Sequence, residues 1–393
     1  MPKYPHTAER VKELTGSVYE KYRHLIKQQT SVAKLHIGDT ALWPPYAMPL
    51  ADYFTSAHRD MTKYCNTYGV DELRKSIAEK VSEDNGITST RDHVLVTAGA
   101  SNALSAAMMT LINPGDEVIV LTPCWPFFTG MVRAAGGKVV EVPLYMDLYD
   151  QPEMDIFGKL KNATTSKTVA VYVNSPNNPS GKMLDARQWQ TVVDFVKQHQ
   201  LWLISDEAYD GLAFDGRKTI SPATLGIREQ TISIFTFSKI FMFAGLRLGY
   251  AIAEPELIHA LNKVMVHQLY SPSPVGQYMM VEPLRRRHEW MHGINAQYQQ
   301  LRDAMVEALA MPVAKPEGTY FVFLDAAPYL QGRAFDQLVE QMIMGGVLVA
   351  PGGDFGKDFS SYIRLCFTGE PESVITSSAQ VIRNVLLQNG QTS

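Results

Sequence analysis

Residues 231–250 read TISIFTFSKIFMFAGLRLGY. Ile232, Ile234, Phe235 and Phe237 form an apolar run of strand type that leads, past Thr236 and Ser238, to Lys239. Burying an ammonium in such apolar sequence is costly. Burial lowers its pKa and makes the amine a nucleophile. The alternative is a strand-end lysine whose head snorkels to water. Arg247 follows eight residues later, flanked by Gly245 and Gly249, which permit close backbone approach. An amine nucleophile with an anion clamp beside it suits a small molecule that carries both an aldehyde and a phosphate.

Around this stretch, from residue 93 onward, short β-rich runs alternate with helical ones. The runs are HVLVT, EVIVL, KVVEV, TVAVYV, LWLIS, TISIFTF and LGYAIA, with helices predicted over 101–111, near 126–135 and near 185–199. Seven strands with intervening helices predict an α/β fold: a mostly parallel seven-stranded sheet flanked by helices. The unbroken apolar character of the runs fits strands buried on both faces. Upstream, residues 7–29 have helical spacing, IGDTALWPPYAMP is a loop, and 71–83 is an amphipathic helix with Asp71 and Glu72 at its positive end. Downstream, 255–311 is largely helical. TYFVFLD, GVLVAP and YIRLCF then return to strand character before a last helix over 371–388. The predicted division is a large domain over 46–280 and a smaller α+β domain built from 1–45 and 281–393.

With 393 residues and a net charge of −4, the chain can build a large core and gives no electrostatic reason to expect nucleic acid or an anionic membrane as partner. Arg285-Arg286-Arg287 reads as a solvated helix face. Cys65, Cys124 and Cys366 are odd in number and far apart, which argues against disulfides and against a zinc site, so no metal is expected. The N-terminus has no signal-peptide core and no run is long enough to span a membrane. A reducing, cytoplasmic location is the expectation. GGDFGKD near residue 352 resembles a phosphate loop only superficially, lacking its glycine spacing.

Ligands of α/β sheets bind at the carboxyl ends of strands, so the residues after each strand matter most. Ala98-Gly99-Ala100-Ser101 opens a helix after HVLVT, where free N–H groups make either a phosphate site or a plain helix start. Trp125, between prolines, either stacks on a flat ring or belongs to the core. Asn178 stands in the turn-rich SPNNPSG after TVAVYV. LWLIS delivers Asp206 and, three residues on, Tyr209. A carboxylate at a buried strand end needs a positive partner. A pyridinium nitrogen would provide one, which points to pyridoxal 5′-phosphate (PLP). The bland alternative for Asp206 is a helix-capping surface carboxylate.

Taken in order, SPNNPSG, DEAY and SKIFMFAGLRLGY resemble the fold-type I PLP enzymes, and among them the class I/II aminotransferases of the aspartate-aminotransferase type. The resemblance runs from Gly38 to Arg364. It implies that Lys239 is the Schiff-base and proton-shuttling lysine, and that Asp206 partners the pyridine nitrogen. Tyr209 and Asn178 then hydrogen-bond the phenolic oxygen, and Trp125 stacks on the ring. Ala100, Ser101, Thr236 and Arg247 form the phosphate cup. Tyr64, five residues before Gly69, is implied to reach the neighbouring subunit's phosphate, which makes a homodimer with shared sites. Gly38, Asn178 and Arg364 are implied to bind substrate, Arg364 gripping the α-carboxylate in a bidentate fork.

The implied reaction moves an α-amino group between an L-amino acid and a 2-oxo acid. A lyase, cyclase or oxidase on the same scaffold is the alternative, and a non-catalytic PLP-binding regulator is a more remote one. No counterpart of the family's second, side-chain-binding arginine is evident in HQLYSPSPVGQ. Trp43, Tyr46, Phe127, Phe128 and Tyr270 are expected near the pocket, which leans toward a neutral or aromatic substrate.

Overall fold

The computed structural model describes residues 8–14, 21–46 and 60–388. In chain order they form α1 (Arg23–Ile26), β1 (Ala33–Lys34), α2 (Asp71–Asn85), β2 (Val94–Thr97), α3 (Ala100–Leu111) and β3 (Glu117–Thr122). Then come α4 (Pro126–Ala134), β4 (Lys138–Pro143), α5 (Asp147–Asp150), α6 (Ile156–Ala163), β5 (Thr168–Asn174), α7 (Ala186–Gln198) and β6 (Trp202–Asp206). β7 (Thr231–Thr236), β8 (Gly249–Ile252), α8 (Pro255–Gln268), α9 (Pro274–Arg285) and α10 (Met291–Leu309) follow. The last elements are β9 (Phe321–Asp325), α11 (Phe335–Met344), β10 (Val347–Leu348), β11 (Ala350–Pro351), β12 (Tyr362–Cys366) and α12 (Glu372–Leu387).

The seven predicted strands form one sheet, in the order β2-β8-β7-β6-β5-β3-β4. Neighbours from β7 to β4 pair in parallel, and β8 runs antiparallel to both β7 and β2. The apolar runs are continuous because both faces are covered. Val118 and Val120 of β3 pack with α3 and α4 on one side, while Ile119 and Leu121 pack with α6 and α7 on the other. α3 lies close to the sheet because Ala103, Ala106 and Ala107 present little side chain. With a strand on either side of each, the carboxyl ends of β5, β6 and β7 form the floor of a cleft.

β9, β11 and β12 form a separate three-stranded antiparallel sheet, and β1 pairs in parallel with β10. α10, α11 and α12 cover this smaller unit. GVLVAP does not form one strand: the chain leaves β10 at Val349 and re-enters the other sheet as β11.

Two further expectations change. A single helix over 7–29 is not formed among the described residues: a 3₁₀ turn, Glu9–Glu13, ends at extended Leu14, and α1 is a single turn. The middle of that predicted helix, 15–20, lies outside the described residues, as does the end of the following loop. Arg287 is not on a solvated face. It is 4% exposed and pairs with Glu83 and Asp84, tying the end of α9 to α2, whereas Arg285 and Arg286 are exposed as predicted. Among the described residues no helix is long and apolar enough to cross a membrane.

Candidate active site

A cavity of about 650 Å³ opens above the carboxyl ends of β5, β6 and β7, between the large sheet and the smaller unit. Every cofactor- or substrate-binding residue implied by the resemblance lines it, except Tyr64.

Lys239 comes just after β7, and its Nζ donates to the Gly38 carbonyl oxygen at 2.6 Å. Part of the side chain opens to the cavity, yet dense surrounding protein holds its ammonium down, to about 8. Arg364 and Arg247 push the same way, against Cys366 and Asp39. A Cβ on residue 38 would lie 2.5 Å from the Phe321 ring, so only glycine lets this carbonyl approach the amine. The segment is fastened by Cys366 N–H to Leu35 O and Ala41 N–H to Thr368 O, each 2.7 Å.

Asp206, at the end of β6, is 4% exposed. Its Oδ2 accepts from the Tyr172 hydroxyl at 2.7 Å and its Oδ1 from Ala208 N–H at 3.1 Å. Burial raises the carboxyl to about 6, although these two hydrogen bonds and Lys239 oppose the rise. Among the described residues no cation stands within ion-pair distance of it.

Tyr209 is buried, and burial holds its hydroxyl firmly protonated. Asn178 connects it to the smaller unit: Nδ2 donates to the Tyr209 oxygen at 3.3 Å, and Oδ1 accepts from Arg364 at 3.0 Å. Arg364, on β12, also donates to the His36 carbonyl oxygen at 2.6 Å. Its guanidinium lies 4.2 Å from the Phe321 ring centre and 4.9 Å from that of Phe355. Two rings and two hydrogen bonds therefore fix its plane. Burial, with Arg364 and Lys34, lowers His36 to about 4, so its imidazole is neutral near pH 7.

At the opposite wall, α3 begins with Ala100 and Ser101, whose N–H groups have no acceptor one turn back. β8 passes directly beneath: a Cβ on Gly249 would lie 2.7 Å from Ala100 N. Thr236 Oγ1 and Ser238 Oγ are 2.9 Å apart at the same wall, and Arg247 donates to the Ala244 carbonyl oxygen at 2.9 Å. N–H groups, hydroxyls and a guanidinium around one space form a donor set for a phosphate.

Trp125 caps α4 and lines the cavity beside Phe127. Of the five aromatics expected near the pocket, only Phe127 lines it. Phe128 stacks on Tyr172 in the core, Tyr46 is half-buried away from the cavity, and Trp43 and Tyr270 are exposed elsewhere. Tyr64 is 85% exposed and contacts Tyr270 edge-on, outside the cavity. Sequence reasoning missed Ser238, Phe321 and Phe355 as site residues. Ser238 was detectable, standing between Thr236 and Lys239. Phe355 comes from the GGDFG loop, which has no phosphate-loop role to suggest it.

Residues 34–382 match the family model for aminotransferase class I and II. The chain belongs to this family. The aminotransferase is 34% identical over 316 residues to a probable aspartate/prephenate aminotransferase of Thermus aquaticus, covering 79% of this chain and 80% of that protein. It is 31% identical over 368 residues to an aspartate aminotransferase of Bacillus subtilis, covering 89% and 91%. Among solved structures, a double mutant of the Thermus thermophilus aspartate aminotransferase superposes with a TM-score of 0.87 at 28% identity, over 97% of this chain and 100% of that one. An aromatic aminotransferase from Pyrococcus horikoshii gives 0.83 at 29% identity, over 93% and 98%.

Proposed function

We propose that this aminotransferase holds PLP in the cavity and uses it to move an α-amino group between an L-amino acid and a 2-oxo acid. The observation that carries the reading is Asp206, a buried carboxylate with no cationic partner among the described residues, facing the same cavity as a lysine of lowered pKa. A protonated pyridine nitrogen suits the first and an aldehyde the second, and the donor set at α3 suits the phosphate. When bound, PLP supplies an electron sink for charge developing at the substrate Cα.

The protein's own residues divide the remaining work. With a pKa of about 8, roughly a tenth of Lys239 is free amine at pH 7. An ordinary lysine offers less than about a thousandth, so burial raises the nucleophile's concentration by more than a hundredfold. Lys239 is the group that takes a proton from the substrate Cα and returns it. Asp206 holds the ring nitrogen protonated, because a carboxylate in a desolvated site favours a neighbouring positive charge. Tyr209, kept protonated by burial, donates to the ring oxygen together with Asn178. Ala100, Ser101, Thr236 and Arg247 bind the phosphate, joined by Ser238. Trp125 covers one ring face. Arg364 receives the substrate α-carboxylate beside Gly38. Ile37, Phe127, Phe321 and Phe355 give the cavity an apolar wall, which favours a neutral or aromatic side chain.

Tyr64, outside its own cavity, is assigned to the phosphate of a second copy, in a homodimer with shared sites. The large and small domains are taken as 46–280, and 1–45 with 281–393. The three free cysteines support a reducing, cytoplasmic setting. The test is spectroscopic. PLP-loaded protein mixed with common amino acids should convert to the pyridoxamine form, and a 2-oxo acid should reverse the change. Ammonia release or oxygen uptake without that reversal would refute the reading.

A further inference from the structure

We propose that Glu317 is a positioning residue for the substrate-carboxylate site, holding the Asn178 loop in register with Phe321 and Arg364. The inference rests on the role given above to Arg364.

Glu317 is 8% exposed and lies outside the cavity, between the two units. Three donors converge on its carboxylate. Lys182 Nζ and Arg217 reach Oε1 at 2.9 and 3.1 Å, and Met183 N–H reaches Oε2 at 2.9 Å. Lys182 is itself buried. A buried carboxylate with both oxygens occupied by charged or backbone donors is a rigid junction.

Two lines lead from that junction to the substrate site. Lys182 and Met183 lie in the later half of the irregular loop 175–185 that carries Asn178, four residues before Lys182. The loop's other end is fixed by β5, where the Asn174 side chain accepts from Asn178 N–H at 2.7 Å. The loop is also closed on itself, Asn177 N–H donating to Lys182 O at 2.9 Å and Leu184 N–H to Ser175 Oγ at 3.0 Å, so it moves as one unit. Glu317 is the side chain that ties this unit, with the Asn178 amide it presents to Arg364 at 3.0 Å, to the 316–321 segment. In the other direction, Phe321 lies four residues after Glu317 and supplies the ring beneath the Arg364 guanidinium. One side chain thus ties the loop bearing the hydrogen-bond partner of that arginine to the segment bearing its stacking partner.

The backbone around Glu317 is held independently of its side chain. Its N–H donates to Gly181 O at 2.9 Å, its carbonyl accepts from Phe214 N–H at 2.8 Å, and Arg302 donates to Pro316 O at 2.9 Å. Glu317→Gln keeps these bonds and the side-chain volume. It removes one acceptor oxygen, so either Met183 N–H or the Lys182–Arg217 pair loses its partner.

The test uses the PLP-loaded enzyme with four readouts: KM and kcat for an accepted amino acid, the rate with benzylamine, PLP affinity, and calorimetric Kd for 3-phenylpropionate, a carboxylate that cannot react. Glu317→Gln should raise KM and the phenylpropionate Kd about tenfold, as expected for a lost hydrogen bond to a charged group, with the other readouts within about twofold. Lys182→Gln leaves Met183 and Arg217 on Glu317, should give the same split at several-fold size, and carries the test if Glu317→Gln does not fold. Unchanged carboxylate affinity in a folded variant overturns the inference. So does an equal loss in all four readouts, which marks a merely structural residue. A wild-type enzyme inert toward every amino acid overturns the site reading itself, and the inference with it.

Discussion

Arg364→Lys keeps the positive charge at the cavity wall and removes the fork. In the wild type the guanidinium is fixed by Asn178 at 3.0 Å, the His36 carbonyl at 2.6 Å, and two aromatic rings within 5 Å. A lysine ammonium is a hydrated point charge without a plane, so it cannot meet both anchors, stack, and present two parallel N–H groups to a carboxylate. The orientation of the substrate Cα–H bond depends on that carboxylate plane. Disrupting a charge-assisted pair in a partly desolvated site costs about 2–5 kcal/mol, which is about 30-fold to a few thousand-fold in kcat/KM. Steady-state kinetics with an amino acid and with an amine lacking a carboxylate separate the cause. The amino acid should lose that factor, the amine should lose little, and PLP affinity should stay unchanged because Arg247 holds the phosphate. Normal turnover of amino acids by Arg364→Lys, or a wild type that prefers simple amines, would refute the reasoning.

Asp206→Ala should fold and bind PLP yet lose about two or more orders of magnitude in kcat, by analogy with removal of a preorganised electrostatic partner; near-normal kcat would reduce Asp206 to a structural carboxylate. Tyr64→Ala and Lys239→Ala, each inactive, should regain part of the activity when mixed and allowed to exchange subunits, and no recovery despite demonstrated exchange would rule out a shared site. Glu207 is buried among Ser205 and Ser221, and burial raises it from 4.5 to about 7. Because the folded state keeps the proton longer, its contribution is whole below about pH 4.5 and is lost as pH rises through about 7, roughly 3 kcal/mol in all. Urea unfolding of wild type and Glu207→Gln should therefore diverge between pH 4.5 and 8, the variant gaining on the wild type as pH rises; a pH-independent difference would show that Glu207 does not titrate there.

The strands of the large sheet were legible because burial on both faces leaves an unbroken apolar run, as in Ile232 to Phe237. The cavity residues at strand ends were legible for the same reason: Lys239, Asp206 and Asn178 are polar groups directly after such runs. What escaped depended on contacts distant in sequence. Phe321 reads as an ordinary strand residue, and only the arrival of Gly38 and Arg364 gives its ring a role. Arg287 looks solvated beside Arg285 and Arg286 until α2 brings Glu83 and Asp84 to it. GVLVAP has the pattern of one strand, yet β1 claims its first half and β12 its second. The helix α11, FDQLVEQMIM, was missed although Leu338, Val339, Met342 and Ile343 have helical spacing and are buried.

Everything proposed for the site depends on the nucleophile. Borohydride reduction of the PLP-loaded protein, followed by peptide mapping, locates it directly. The cofactor should be fixed on the peptide containing Lys239, and Lys239→Ala should bind PLP without becoming labelled there or turning over. A label on another lysine, such as Lys182, would contradict the assignment.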